Sequence, residues 1–184
     1  MTIDARVSEF IDDVAGAVDA KLDEAETAAR VAEGLRRLLA SPVVVPPGFD
    51  MPRSDQYAMY PLHVADDGSF SVAVAVWGVG QRTPIHDHLA WGVVGVLSGV
   101  EREQRYEARI GSGPVLIEER DLRAGDVVVC CTSDDDVHAV SCGGESNVVA
   151  IHVYGTDIGT ALRHSYDPDT GTTKSFISKW CSTE

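Results

Sequence analysis

The 184 residues carry 29 acidic against 15 basic side chains, a formal net charge of −14, with 44% hydrophobic and 24% charged residues. Such a chain suits one domain with a sizeable core and has the apolar content of an ordinary globular protein. Its acidity argues against nucleic acid or an anionic membrane surface as partner, since both need basic patches. No stretch approaches the roughly 20 apolar residues of a membrane span.

The opening MTIDARVSEFIDD lacks the basic-then-apolar layout of a signal peptide, which predicts a cytoplasmic protein. Residues 5 to 40 read as helix. Val7, Phe10, Ile11, Val14 and Val18 fall on one face at three-and-four spacing. Asp23 starts a second stretch as an N-cap with Glu26 three residues on, and Val31, Leu35, Leu38 and Leu39 form its apolar stripe. Ser41-Pro42 and Pro46-Pro47-Gly48 then stop helix formation. Residues 1–50 are therefore expected to form a helical extension, and 51–184 a β domain.

From Gln56 onward the pattern is short strands with turns. Tyr57 to Val64 and Ser69 to Trp77 flank Asp66-Asp67-Gly68, and further strands are predicted over 91–97, 100–108, 113–119, 126–131, 137–141 and 147–154. Thr172 to Trp180 can close the sheet as a last strand. Regular short strands of this kind mean an all-β barrel or sandwich. Cys130, Cys131, Cys142 and Cys181 lack paired zinc spacing and are too few for a disulfide framework, so reduced structural thiols are expected.

Chemistry concentrates in GQRTPIHDHLAWGVVGVLSG, residues 80–99. On a strand, His86 and His88 point to one face and Asp87 to the other. Two neutral imidazoles converging on one point suit a divalent transition metal; a half-exposed sheet edge is the other reading. His152 and Tyr154 likewise share strand parity. They can be satisfied core polar groups, or hydrogen-bonding groups next to a metal. His63 and His164 read as structural or surface residues.

Gly80, five residues, His86-x-His88 and then Gly99 resemble the first motif of the cupin superfamily. The Glu that usually follows the second His after three or four intervening residues is absent, since Gly92 and Val93 stand there. Within the cupins, a three-histidine iron site without that Glu marks the thiol dioxygenases. TPIHDHLAWGVVGVLSG is most similar to the bacterial 3-mercaptopropionate dioxygenase branch of the cysteine dioxygenase family. The resemblance spans about residues 56 to 166, and HDHxxWG followed by IHVYG carries it.

That resemblance implies an all-β cupin double-stranded β-helix barrel with an N-terminal helical extension. It also implies Fe(II) held by His86, His88 and a third histidine, for which His138, after the turn Arg123-Ala124-Gly125-Asp126, is the best candidate. One of Asp134, Asp135 and Asp136 could instead complete a two-histidine, one-carboxylate site. IHVYGTDIG is similar to the stretch carrying a Ser-His-Tyr relay, which makes His152 and Tyr154 its His and Tyr. The Ser position is Ala150, so His152 is expected to lack the partner that would fix its tautomer.

By the same resemblance Arg163 binds or orients a substrate carboxylate, although a surface ion pair is the plain alternative. Trp91 is expected to wall the barrel and border the substrate pocket. No Arg stands in Tyr57-Ala58-Met59-Tyr60, where cysteine dioxygenases of the mammalian type have one, which argues against cysteine as the preferred substrate. No Cys lies between His88 and Cys130, so no Cys–Tyr crosslink is expected. The function implied is oxidation of a small thiol carboxylic acid by O2 to the sulfinate, with Tyr154 donating hydrogen bonds. The thiol and O2 would be the partners, and the chain a monomer or small homo-oligomer. The rivals are a cupin dioxygenase of a non-thiol substrate, a non-catalytic metal- or small-ligand-binding cupin, and a metal-independent isomerase-type cupin.

Overall fold

The computed structural model describes residues 3–109 and 111–182. Two helices come first, α1 over Ala5–Asp19 and α2 over Glu24–Leu39. The helical stretch divides where Lys21 takes a positive φ of 51° and the Asp23 side chain caps α2, accepting the Glu26 N–H at 2.8 Å. Eleven strands follow among the described residues. They are β1 (Ala58–Val64), β2 (Ser71–Trp77), β3 (Ile85–His86), β4 (Gly92–Ser98), β5 (Val100–Glu107) and β6 (Val115–Arg123). The rest are β7 (Val127–Cys131), β8 (His138–Cys142), β9 (Val148–Tyr154), β10 (Arg163–Tyr166) and β11 (Thr173–Phe176).

The strands form two antiparallel sheets, β1-β2-β9-β4-β7 and β11-β10-β3-β8-β5-β6. From β2 to β10 the chain passes alternately from one sheet to the other, with the β5–β6 hairpin as the one stay on the same side. This alternation winds two antiparallel layers around one interior, the expected double-stranded β-helix. The two layers leave different marks on sequence. Every residue of β2 and β9 is buried, because the first sheet is covered on both faces. Val72, Val74, Val76, Val149, Ile151 and Val153 pack on the helices, with Leu35 fully buried among them. Burying a side chain of Leu size contributes about 1.5–3 kcal/mol. The alternate residues, among them Ala73, Ala75, Ala150, His152 and Tyr154, face the interior.

The strand pattern departs from expectation in three places. Residues around the histidine pair form a strand of only two residues, Ile85–His86. β6 runs to Arg123, four residues beyond its predicted end at 119, because β5 offers a partner along its whole length. Arg163–Tyr166, too polar to read as a strand, becomes one by pairing with β3 and β11.

Gly99 alone separates β4 from β5 and turns the chain from one sheet to the other, with φ of +79°. A Cβ there would meet the Asn147 carbonyl oxygen and stand 3.0 Å from Val148 Cα. Gly68, in the β1–β2 turn, has a similar φ of +72° but open space around it. Gly68→Ala is expected to cost only the left-handed penalty, about 1–2 kcal/mol. Gly99→Ala should cost a further ~1–3 kcal/mol for the backbone overlap. Urea unfolding of both variants measures the difference, and equal losses would show that the corner yields freely.

Candidate metal centre

The register places the first two imidazoles. His86 on β3 lies directly opposite His138 on β8. His88 lies just past the end of β3, where no ladder holds it. A carboxylate does so instead: Asp136 Oδ2 accepts the backbone N–H of His88 at 2.8 Å and of Leu89 at 2.6 Å. Leu89 adopts a φ of 57° as the chain turns away. Asp87 points in the opposite direction. Its carboxylate accepts the His164 backbone N–H at 2.7 Å, the His164 Nδ1–H at 3.0 Å and the Tyr166 hydroxyl at 2.9 Å. The parity read from the sequence therefore survives without a full strand, because carboxylates on both sides replace the missing ladder.

The rings of His86, His88 and His138 form a near-equilateral triangle, with centroids 4.9, 4.8 and 4.8 Å apart. Their candidate ligand nitrogens all lie within 4.8 Å of one another, and all three residues are buried. Each ring has its Nδ1 occupied away from the centre. His86 Nδ1–H donates to the Pro84 carbonyl at 3.0 Å, and His138 Nδ1–H donates to Glu103 Oε1 at 2.8 Å. His88 Nδ1 lies 3.3 Å from Cys131 Sγ.

His138 Nε2 is buried with no hydrogen-bond partner. A buried, unpartnered imidazole nitrogen is costly unless something binds it. A cation at the centre of the triangle fits it, and the Nδ1 hydrogen bonds are the kind that orient metal-ligating histidines. Burial, followed by the influence of His138, pushes His86 and His88 well below the usual imidazole range. Both rings are therefore neutral and offer lone pairs at neutral pH. Among the described residues these three alone form such a group.

The acidic run before His138 is spent elsewhere. Asp134 accepts the Thr132 hydroxyl at 2.7 Å, Asp135 pairs with Arg105, and Asp136 anchors the His88 backbone. None joins the histidines, so the two-histidine, one-carboxylate alternative is not what the chain builds.

A bulge in β7 shapes the neighbouring wall. Gly92 pairs with Cys131 and Val93 with Val129, so Cys130 is the extra residue. The bulge brings the two thiols to 3.3 Å from each other. A Cβ on Gly92 would stand 2.6 and 2.8 Å from these sulfurs, so only glycine fits there. The hydrogen bond with Cys131, and then burial, push the Cys130 thiol well above its usual range, keeping it protonated.

Tyr154 lies beside His88, with ring centroids 4.9 Å apart. His152 Nδ1 is 2.8 Å from the Tyr154 hydroxyl, so these two residues meet as their shared parity requires. The expectation that His152 lacks a further partner needs correction. Its Nε2 lies 3.2 Å from Glu101 Oε2, on a side chain only 1% exposed. Arg163 is 2% exposed, so it is not a surface ion-pair residue. Ser165, two residues on, lies opposite His86, which places Arg163 on the face that His86 occupies. Its guanidinium sits 4.7 Å over the Phe176 ring, while Nε and Nη2 are buried without partners among the described residues.

Trp91 is not brought to this group. Gly92 takes the inward place at the start of β4, so Trp91 faces the helices with Val93 and packs over Gly155. Of the remaining histidines, His63 packs at a tilt against Phe70 and His164 anchors Asp87.

Two residues that sequence reasoning missed are Glu101 and Glu103. Glu103 binds His138 and accepts from Arg120 Nε at 2.6 Å. Burial alone would raise its carboxyl, but the His138 hydrogen bond and the Arg120 charge outweigh this and hold it below its usual range. The one available signal was the i, i+2 spacing in Glu101-Arg102-Glu103, which puts both acids on one face of β5.

No family model matches the chain. Among solved structures it resembles a double-stranded β-helix domain protein from Klebsiella pneumoniae, with 15% identity over 73% of this chain and 96% of that one, TM-score 0.49. A cupin-like protein from Thermotoga maritima matches at 19% identity over 70% and 90%, TM-score 0.46. A cupin superfamily protein from Desulfitobacterium hafniense matches at 14% over 58% and 84%, TM-score 0.45. With every score below 0.5, the strand order and not these likenesses carries the fold.

Equilibrium dialysis with metal analysis should find one divalent transition-metal ion per chain. His86→Ala, His88→Ala and His138→Ala should each abolish that stoichiometric binding. Glu103→Gln, which keeps all three ligands, should weaken affinity ~10–100-fold through the orientation of His138. Unaltered binding in the histidine variants would show that the triangle is not the metal site.

Proposed function

We propose that this chain is a non-haem Fe(II) thiol dioxygenase that converts a small thiol carboxylic acid of the 3-mercaptopropionate kind, with O2, to its sulfinate. The observation that carries this reading is Arg163, a buried guanidinium whose Nε and Nη2 have no partner, on the face of the three histidines. A buried cation left so exposed in hydrogen bonding calls for an anion. The planar fork of a guanidinium matches a carboxylate.

His86, His88 and His138 would hold the iron. Held by three imidazoles, Fe(II) would keep its full charge, favour a thiolate over a thiol and supply the redox chemistry that O2 requires. The overall change is RSH + O2 → RSO2H, in which both oxygen atoms end on sulfur. The chain's own groups bind and orient. Arg163 takes the carboxylate, with the Phe176 ring beneath its guanidinium. Tyr154, beside His88 and backed by His152, gives the reacting end a hydrogen-bonding partner. Val94, Val96 and Leu122 make the interior around Ala150 apolar, which excludes water.

The same geometry favours a substrate without an amino group. An ammonium would need a carboxylate, and the four buried ones among the described residues are engaged: Glu101 with His152, Glu103 with His138 and Arg120, Asp87 with His164 and Tyr166, and Asp136 with the backbone of His88 and Leu89. Met59 on β1 faces the interior cluster as an apolar residue and adds none.

Oxygen uptake by the Fe(II)-loaded protein tests this against 3-mercaptopropionate, cysteine, cysteamine and mercaptosuccinate. Uptake should be fastest with a thiol carboxylate lacking the amine and should match sulfinate formed one to one. Arg163→Gln should raise KM for that substrate ~10–100-fold, the loss of a charge-assisted pair, and leave cysteamine turnover nearly unchanged. Iron-loaded protein that ignores every thiol would overturn the assignment. Thiol-induced stabilisation without oxygen uptake would reduce the barrel to a binder.

A further inference from the structure

We infer that Glu101 is the positioning residue behind Tyr154. It fixes His152 as the Nε2–H tautomer, so that Tyr154 donates its hydroxyl proton to His152 and turns an oxygen lone pair toward the pocket. The tautomer stands on geometry alone; its consequence for turnover rests on the thiol dioxygenase reading.

His152 sits on β9 between two strands that offer its ring nothing polar. Val94 of β4 lies opposite it on one side and Ala73 of β2 on the other. The preceding inward residue on its own strand is Ala150, which has no hydroxyl. Trp77 covers the ring at 5.3 Å, presenting a tilted aromatic face. Among the described residues, the hydrogen-bond partners of this imidazole are Glu101 Oε2 at 3.2 Å and the Tyr154 hydroxyl at 2.8 Å.

Those two contacts are not equivalent. An ionised carboxylate can only accept, so the imidazole proton lies on Nε2 when Glu101 is charged. Nδ1 then carries a lone pair, and the one donor within reach is the Tyr154 hydroxyl. The Tyr154 oxygen is left with acceptor capacity on its pocket side. Burial, as the largest influence, raises the Tyr154 phenol well above its usual range, so the hydroxyl keeps its proton.

The orienting group thus comes from the opposite sheet. Glu101 reaches His152 from β5, 51 residues away in sequence, and occupies the role that a hydroxyl on residue 150 would fill. The arrangement also reverses an expectation: Tyr154 donates to His152 and accepts from the pocket. A protonated thiol approaching the histidines meets an acceptor oxygen. The logic is that of a base held in one tautomer by a carboxylate behind it.

The test needs no metal. Two-dimensional 15N–1H multiple-bond NMR on the metal-free protein reads each histidine's tautomer, with His152→Phe assigning the resonance. Wild-type His152 should show the Nε2–H pattern. Glu101→Gln, whose amide can also donate, should lose it in favour of Nδ1–H or a mixture, and Glu101→Asp should retain more of the wild-type pattern than Glu101→Gln. An Nδ1–H tautomer in wild type, readable even if a variant fails to fold, would overturn the proposal, as would an unchanged tautomer in folded Glu101→Gln. In the iron-loaded enzyme, Glu101→Gln should lower kcat at least tenfold with KM within about twofold and metal content unaltered; an unchanged kcat would overturn its part in turnover. Failure of the thiol reading would appear as no uptake in wild type, with the tautomer result intact.

Discussion

The hydrogen bond between His138 Nδ1 and Glu103 Oε1, 2.8 Å long and sealed from solvent, ties the chemistry of this barrel to its fold. It joins neighbouring strands β8 and β5, and Arg120 on β6 extends it by holding the other carboxylate oxygen. Each member makes the next tolerable. Glu103 would be costly in an apolar interior without Arg120 and His138. His138 in turn is held with its proton on Nδ1 and Nε2 facing the other rings. Breaking such a set on one side leaves an uncompensated buried charge, which is more damaging than never having built it. The same strand repeats the device one step back, with Glu101 facing His152. β5 is thus the strand from which carboxylates reach both the histidine triangle and the Tyr154 side of the site.

Position is enforced from outside the triangle as well. β3 has two residues, too few for its own ladder to hold two imidazoles in register. Asp87 and Asp136 compensate from opposite sides. Asp87 ties the segment to β10 through His164 and Tyr166, and Asp136 holds the backbone where the chain leaves the strand. A short strand flanked by carboxylate anchors suits a site that must turn two neighbouring side chains inward and then release the chain at Leu89, with its positive φ.

Sequence periodicity made the relative orientation of close neighbours legible. His86 with His88 and His152 with Tyr154 have one residue between them, and strand parity alone puts each pair on one face. The barrel was legible because short strands alternate with turns and β2 and β9 are apolar but for Ser71, His152 and Tyr154, and the helices because their stripes are regular. Parity does not say which face is inward. Glu101 and Glu103 stand among Arg102, Gln104 and Arg105, a composition that reads as a solvated strand, and only the partners 51 and 35 residues away reveal that the acids point in. Trp91 failed for a related reason: with Gly92 beside it, nothing in the sequence shows that the glycine takes the inward place. The Cys130 bulge shifts parity by one residue, which no local pattern announces.

Charge balance links these observations to the proposed substrate. Of the side chains sealed inside the barrel, Glu103 is matched by Arg120 and His138, and Glu101 is bonded to His152. Among the described residues, Arg163 has an aromatic ring beneath it and no carboxylate partner. An arginine at a stable structural position would be paired, since a lone buried guanidinium opposes folding. A cation placed beside the three histidines without an anion is instead a standing demand for one. In the proposed reading a thiol carboxylate meets that demand at one end with its carboxylate and reaches the histidines at the other with its sulfur. The interior is then electrostatically complete only with substrate present. On that reading the site would gain affinity for an anionic ligand without an added surface patch, in a protein that is otherwise strongly acidic.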